Sequence, residues 1–216
     1  MSNILKVVKL DTALVRPYFK TICFTLFLPI VFVAINRSLI TGVSFAMCFI
    51  AMTNGYTFSI TEKNSMERLF GILPVNKKDL VIGRYVFVLT MGLFALLVSL
   101  IAQPVALTVL GEKVRTVDFI SSFVAGIFMF TLYTVFQIPG YYKYGSIKGR
   151  VFMYIPVAGF LVVLLCISKV PLMGTSIIKD IASSTLLCIG ILILVIAVMY
   201  GISILVSIRI MKNKEM

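Results

Sequence analysis

The chain has 216 residues, 60% of them hydrophobic, and a mean hydropathy of +1.09. A soluble domain of this size cannot bury so much apolar surface, so the composition excludes an ordinary water-soluble protein. The 20 Lys and Arg outweigh the 8 Asp and Glu by +12, and the lack of His excludes His-based metal sites and Ser-His or Cys-His nucleophiles.

The first predicted element is an amphipathic helix over residues 2–16 that leads into the first membrane span. Its basic stripe is formed by Lys6, Lys9, Arg16 and Lys20. Apolar residues cover the opposite face, so the helix is expected to lie in the membrane interface, against the lipid bilayer. Asp11 falls on that apolar face and needs either a basic partner from another loop or a water-exposed helix edge.

Six largely uncharged runs approach or exceed the length of about 20 residues that a helix needs to cross a bilayer. The predicted transmembrane helices lie near residues 17–35, 39–60, 81–103, 119–141, 151–168 and 184–208. The expected fold class is an all-α integral membrane protein, with residues 1–216 forming one transmembrane domain. Gln103-Pro104 is expected to end the third span, and Pro139 to kink the fourth.

The basic residues predict the orientation, because cytoplasmic loops carry an excess of Lys and Arg. Fifteen of them lie in the two termini, the loop 61–85 and the loop after the fourth span, and five lie in the other links. Both termini are therefore expected in the cytoplasm. A nucleic-acid partner is not expected, because no basic patch with interleaved aromatic residues belongs to a soluble domain.

The loop 61–85 contains a second amphipathic pattern. One helical face carries Met66, Leu69, Phe70 and Leu73. Pro74 should end this helix, and Asn76 suits the N-cap of the next one. A helix over 62–74 makes the link longer than a connector between two spans needs. The pattern is consistent with a docking surface or with an ordinary interfacial helix.

Several polar side chains lie within the predicted spans. They are Thr53, Asn54, Thr57, Thr131, Thr134 and Gln137. Hydrogen bonding between helices is favoured for them over a substrate pathway.

Residues 67–85, ERLFGILPVNKKDLVIGRY, resemble a loop of the ABC-2 type transporter permeases. The shared pattern is an acidic residue and Arg, a Leu-rich turn, LPV, polar residues with an acid, and an aliphatic pair leading to a basic residue and Tyr. The resemblance implies that residues 62–74 are a coupling helix, which sits in a groove of a separate cytoplasmic ATPase. The contact it implies is made by Glu62, Glu67, Arg68, Leu69, Phe70 and Leu73, with Pro74 and Val75 at the turn.

The chain has no phosphate-binding loop of the form GxxxxGK[ST], so it cannot itself be the ATPase. The resemblance implies no cofactor in this chain, with ATP and Mg²⁺ on a P-loop ATPase subunit. It also implies a bacterial plasma membrane location and a second permease, either another copy or a paralogue. The expected function is export of a hydrophobic or amphipathic substrate, with cytolytic or antimicrobial peptides among the candidates. The alternative is a membrane anchor or regulatory subunit that recruits a soluble partner and has no pathway of its own.

Overall fold

The computed structural model of the chain describes residues 3–64, 66, 76–158 and 185–213, and this part is helical with short links and no strand. The helices are α1 (Asn3–Val15), α2 (Phe19–Asn36), α3 (Leu39–Thr53), α4 (Gly55–Lys63), α5 (Lys77–Val109), α6 (Thr116–Lys148) and α7 (Thr185–Asn213). Short 3₁₀ turns lie at Arg16–Tyr18 and Gly149–Met153. The all-α fold class is confirmed.

Five stretches among the described residues are long and apolar enough to cross a membrane. They are Asn3–Asn36, Leu39–Lys63, Lys77–Val109, Thr116–Ala158 and Gly190–Asn213. Each contains or overlaps at least one predicted span, and Thr116–Ala158 contains 119–141 and overlaps the start of 151–168. The remaining predicted span, 151–168, begins in the last 3₁₀ turn and is helical from residue 154 to 158. Its other residues lie outside the part of the chain that the structure describes.

Two expected helix interruptions differ from the structure. Helix α5 does not end at Gln103-Pro104 but continues to Val109 with Pro104 inside it. In α6 the backbone leaves helical geometry at Gly145, with φ 79° and ψ −179°, although Pro139 lies inside the same helix. A proline removes one helical hydrogen bond, which a long helix tolerates, whereas Gly145 adopts a conformation that only glycine reaches easily.

The core of the bundle is built around α3, which packs against α2, α5 and α6, while α7 packs against α5 and α6. The central side chains are almost completely buried and mostly aliphatic. They include Val33, Val43, Met47, Ile50, Val81, Val88 and Ile138. The exposed surface is also apolar. It includes Phe24, Ile35, Leu93, Ile101, Ile193 and Leu205, each at least 59% exposed. Such a surface suits a lipid surrounding, where apolar side chains lose nothing by exposure.

The links between helices fall into two groups at opposite ends of the bundle. At one end, Arg37 after α2 forms an ion pair with Glu112 after α5, at 3.0 Å. At the other end, α1, α4, the start of α5 and the end of α6 meet, and Met211 near the end of α7 lies beside them. This second end holds the segments in which the sequence concentrates basic residues.

Candidate functional site: the polar cluster around Arg84

Arg84 is a buried basic side chain on α5, about two turns from the start of that helix. Its guanidinium donates two hydrogen bonds to the carboxylate of Asp11 on α1, from Nε to Oδ2 at 3.3 Å and from Nη2 to Oδ1 at 3.1 Å. The Asp11 side chain is 0% exposed and that of Arg84 3%. Asp11 therefore has the basic partner that its place on an apolar face required, and a water-exposed helix edge is excluded.

Helix α4 provides two further contacts to Arg84. The Nη2 group also donates to Thr61 Oγ1 at 3.3 Å, and the guanidinium lies 4.6 Å from the centre of the Phe58 ring. That distance is within the range of a cation–π interaction. Arg84 thus joins α1, α4 and α5 at one point.

The pairing is energetically important because both charges are withdrawn from water. Removing one member of a buried ion pair typically costs about 3–5 kcal/mol, since the remaining charge stays desolvated. The two hydrogen bonds are also directional, so they fix the rotation of α1 relative to α5 as well as its distance.

Gly83, next to Arg84, allows α1 to approach α5 closely. A Cβ atom at this position would lie 2.7 Å from Val7 Cβ and 3.3 Å from the carbonyl oxygen of Ile4. A larger side chain would push the helices apart or distort one of them. The close packing at Gly83 and the ion pair at Arg84 therefore act on the same helix contact.

Glu62, in the last turn of α4, contacts the break in α6. Its Oε2 atom accepts a hydrogen bond from the backbone N–H of Ser146 at 2.7 Å. A Cβ atom on Gly145 would lie 3.2 Å from Glu62 Oε1. The carboxylate thus satisfies a backbone donor that the non-helical Gly145 leaves free, which stabilises the break near the end of α6.

Tyr85 connects α5 to α7 from the position after Arg84. Its hydroxyl lies 2.6 Å from Ser203 Oγ and 2.9 Å from Ser207 Oγ, and all three residues are buried. Ser203 also donates to the carbonyl oxygen of Val135 on α6 at 2.8 Å. Consecutive residues of α5 therefore hold different helices, with Arg84 contacting α1 and α4 and Tyr85 contacting α7.

The polar residues predicted inside the spans mostly bond within their own helices. The hydroxyls of Thr53, Thr57, Thr61 and Thr131 each donate to a carbonyl oxygen three or four residues earlier. A bond between helices joins Thr134 Oγ1 and the Tyr200 hydroxyl at 2.8 Å. The expected bonding between helices is thus seen at Thr134 and, through Arg84, at Thr61.

Two buried amides of the same predicted set lie near the junction of α3 and α4. Gln137 donates to the Tyr141 hydroxyl at 2.7 Å, and that hydroxyl would lie 2.7 Å from a Cβ atom on Gly55. Asn54 occupies the residue between α3 and α4 and is 3% exposed. In the described part of the chain, Asn54 Nδ2 and Gln137 Oε1 have no hydrogen-bond partner.

The predicted coupling helix is described only at its start. Glu62 belongs to α4, which ends at Lys63. The other predicted contact and turn residues lie outside the described part of the chain: Glu67, Arg68, Leu69, Phe70, Leu73, Pro74 and Val75. The next helix begins at Lys77 with Asn76 at its N-cap, as predicted, but without a hydrogen bond from the Asn76 side chain.

The predicted basic stripe is exposed. Lys6 and Lys9 on α1, Arg16 in the following turn and Lys20 on α2 all point away from the buried face. That buried face consists of Val7, Asp11 and Val15, which are one helical turn apart. The stripe is therefore free to contact headgroups or a partner protein.

Sequence reasoning identified Arg84 and Tyr85 only as motif residues and missed their contacts. Two signals were available, because Arg84 is a charge inside the predicted span 81–103 and Asp11 is a charge on an apolar helix face. Ionisable groups in such places require partners. The Ser203–Ser207 spacing, four residues on one helix face, was a weaker signal for the contact with Tyr85.

The apolar helices and the polar contacts that hold them together define a multi-pass membrane protein. A family model described as ABC-2 family transporter protein matches residues 6–212. The chain belongs to this family and is a permease subunit of an ABC transporter, a class whose members normally work with an ATPase subunit. No curated protein and no solved structure matches the chain.

Proposed function

We propose that the chain is the membrane-spanning subunit of an ATP-driven exporter, and that a separate P-loop ATPase docks on a coupling helix at residues 62–74. The docking contact would use Glu62, Glu67, Arg68, Leu69, Phe70 and Leu73, with Pro74 and Val75 forming the turn. The family match over residues 6–212 supports this assignment.

The observation that carries the proposal is how the two flanks of this segment are held. Thr61 at its start bonds to Arg84 beyond its end, and Glu62 bonds to Ser146 beside the break near the end of α6. A displacement of residues 62–74 would therefore act directly on the helices around Arg84. A loose connecting loop would not need such anchoring.

The proposed location is the bacterial plasma membrane, with both termini in the cytoplasm. The grouping of α1, α4, the start of α5, the end of α6 and the end of α7 at one end of the bundle supports this orientation. The sequence segments that begin or end there hold most of the Lys and Arg residues, the excess expected of a cytoplasmic face.

The proposed cargo is hydrophobic or amphipathic, and a cytolytic or antimicrobial peptide is one candidate. The proposed transporter contains two permease subunits, of which the second is either another copy of this chain or a paralogue. A second subunit is needed because one small helix bundle rarely encloses a pathway for a large substrate. ATP and Mg²⁺ would be bound by the ATPase. The family resemblance of the 67–85 segment supports these points.

The test is capture of the tagged chain from its native membrane in mild detergent, with partners identified by mass spectrometry. The wild-type chain should retain a P-loop ATPase in equal amount. Glu67→Lys and Leu69→Asp should release it while the permease remains in the membrane. Glu112→Lys and Leu110→Asp introduce the same charges at exposed positions of the opposite end and should retain it.

If both Glu67→Lys and Leu69→Asp retain as much captured ATPase as the wild-type chain, the docking assignment is overturned. A stoichiometric partner that has no nucleotide site would favour the alternative, a membrane anchor or regulatory subunit. Cargo-stimulated ATP hydrolysis by the captured complex would exclude that alternative, because an anchor without a pathway gives no such stimulation.

A further inference from the structure

We propose that Arg84 and Asp11 are positioning residues that pass movement of the coupling segment to the N-terminal helix, so that α1 moves with the ATPase during transport. This inference rests on the proposed function. It gives α1 a mechanical role in addition to its expected contact with lipid.

The first support is the geometry of the loop neck. Thr61 and Arg84 lie 23 residues apart in sequence, on either side of the coupling segment, and their side chains are 3.3 Å apart. The two described flanks of the segment are therefore joined by a side-chain hydrogen bond. Asp11 binds the same Nη2 group of Arg84, which places α1 directly beside that bond.

The second support is the form of the contact between α1 and α5. Apolar packing is non-directional, so it opposes rotation of one helix against the other less than aligned hydrogen bonds do. Here Nε and Nη2 of Arg84 each reach a different oxygen of Asp11, and a guanidinium presents its donors in one plane. Rotation of α5 would break one of these bonds unless α1 turned with it.

The third support is the packing at Gly83. A Cβ atom there would meet Val7 Cβ at 2.7 Å, so Val7 is seated against the backbone of α5. Val7, Asp11 and Val15 form one stripe along α1. The stripe combines two apolar contacts with one charged contact between them, and the apolar contacts can keep α1 in place when the charged contact is removed.

This arrangement separates a mechanical role from a purely structural one. In the double variant Asp11→Leu with Arg84→Met, both charges are replaced by apolar side chains, so no buried charge is left unpaired. The bundle should remain folded with α1 seated. The directional link between the coupling segment and α1 is then absent.

The experiment measures distances between spin labels in the complex of the full chain with its co-purifying ATPase, in lipid nanodiscs. The four native cysteines are replaced by Ser. One label pair joins Thr12→Cys on α1 to Val117→Cys at the far end of α6, and a second joins Lys63→Cys beside the coupling segment to Val117→Cys. Each distance is compared without nucleotide and with ATP, Mg²⁺ and vanadate.

In the otherwise wild-type chain, both distances should shift on trapping with vanadate. In the double variant the Lys63 distance should still shift, and the Thr12 distance should shift less than in the otherwise wild-type chain. A Thr12 distance that shifts equally in both chains would overturn the inference, as would one that is constant in the wild-type chain. If the double variant does not fold, Arg84→Lys retains the charge but not the planar fork, and a full Thr12 shift in that variant would overturn the inference as well.

Failure of the proposed function gives a different result. A wild-type chain that retains no ATPase during purification would overturn the docking assignment before any distance is measured, and the inference would fall with it. Retained ATPase together with an immobile α1 would overturn only the inference.

Discussion

The Tyr85 hydroxyl and Ser203 Oγ lie 2.6 Å apart and form a buried hydrogen bond between α5 and α7. Ser203 in turn donates to Val135 on α6, so one tyrosine secures three helices through a single serine. Because Arg84 precedes Tyr85, the same turn of α5 is held on two sides.

Tyr85→Phe should destabilise the bundle modestly. The ring keeps its packing, but Ser203 and Ser207 lose their bonds to the hydroxyl, and a buried hydrogen bond contributes about 1 kcal/mol. The measurement is the free energy of unfolding in a mixed-micelle titration. Tyr144→Phe, at a side chain 45% exposed, is the control and should change this energy by less. Equal values for the two variants would contradict the role of the Tyr85 hydroxyl.

Gly83→Ala should loosen α1 from α5. The new Cβ would lie 2.7 Å from Val7 Cβ, and such overpacking costs about 1–3 kcal/mol. The expected result is faster trypsin cleavage at Lys6 and Lys9. Gly201→Ala on α7 is the control, because no atom of the described residues outside the adjoining helix backbone lies within 4 Å of its new Cβ and alanine favours a helix by about 1 kcal/mol. Slow cleavage of both variants would show that α1 accommodates the methyl group.

Gly145→Ala should disturb the break near the end of α6 more than Gly111→Ala disturbs the link after α5. Both glycines have positive φ, at 79° and 82°, so both variants incur backbone strain of about 1–3 kcal/mol. Only Gly145 also faces a neighbour, Glu62 Oε1 at 3.2 Å from the new Cβ. Thermal denaturation in detergent should therefore give the lower midpoint for Gly145→Ala. The reverse order would exclude crowding by Glu62.

Asp11→Asn should cost far more stability than Glu112→Gln, although each replaces one carboxylate of an ion pair. Asp11 and Arg84 are 0% and 3% exposed, so loss of the charge should cost about 3–5 kcal/mol. Glu112 and Arg37 are 41% and 65% exposed, where a pair contributes about 0–1 kcal/mol. The two free energies of unfolding, measured at low and high salt, check this. Similar losses of unfolding free energy in the two variants would mean that the Asp11 carboxylate does not hold α1 against α5.

The presence of the long helices could be predicted, because apolar runs bounded by charges determine them locally. Asn76 was correctly predicted before the start of α5 for the same reason, since capping preferences depend on neighbouring residues. The continuation through Pro104 was not predicted. Packing of α5 against α3 and α7 outweighs the single backbone bond that the proline removes.

The polar cluster could be predicted only in part. A helical projection placed Asp11 on an apolar face, but it could not select Arg84 from the basic residues of other loops, because that contact spans 73 residues. The break at Gly145 could not be predicted either, again because it depends on a contact between residues far apart in sequence. Its conformation is stabilised by Glu62, 83 positions earlier, and nothing in the local sequence distinguishes it from other glycines.

The threonines inside the predicted spans show a further limit of prediction from sequence. Their spacing predicts a polar stripe, and the stripe exists, but a threonine hydroxyl can donate to its own helix as easily as to a neighbour. Thr57 donates to Asn54, whereas Thr134 also bonds Tyr200 on α7. Only the position of the adjacent helix decides between these outcomes.

The buried pair of Asp11 and Arg84 has a consequence for synthesis of the chain. Asp11 is translated 73 residues before its partner. Until Arg84 emerges, the carboxylate must remain in water, because an unpaired charge is not buried. The helix that is made first is therefore seated only after the third span has entered the membrane. A nascent chain that stops before residue 84 would therefore leave α1 without its charged contact to the bundle.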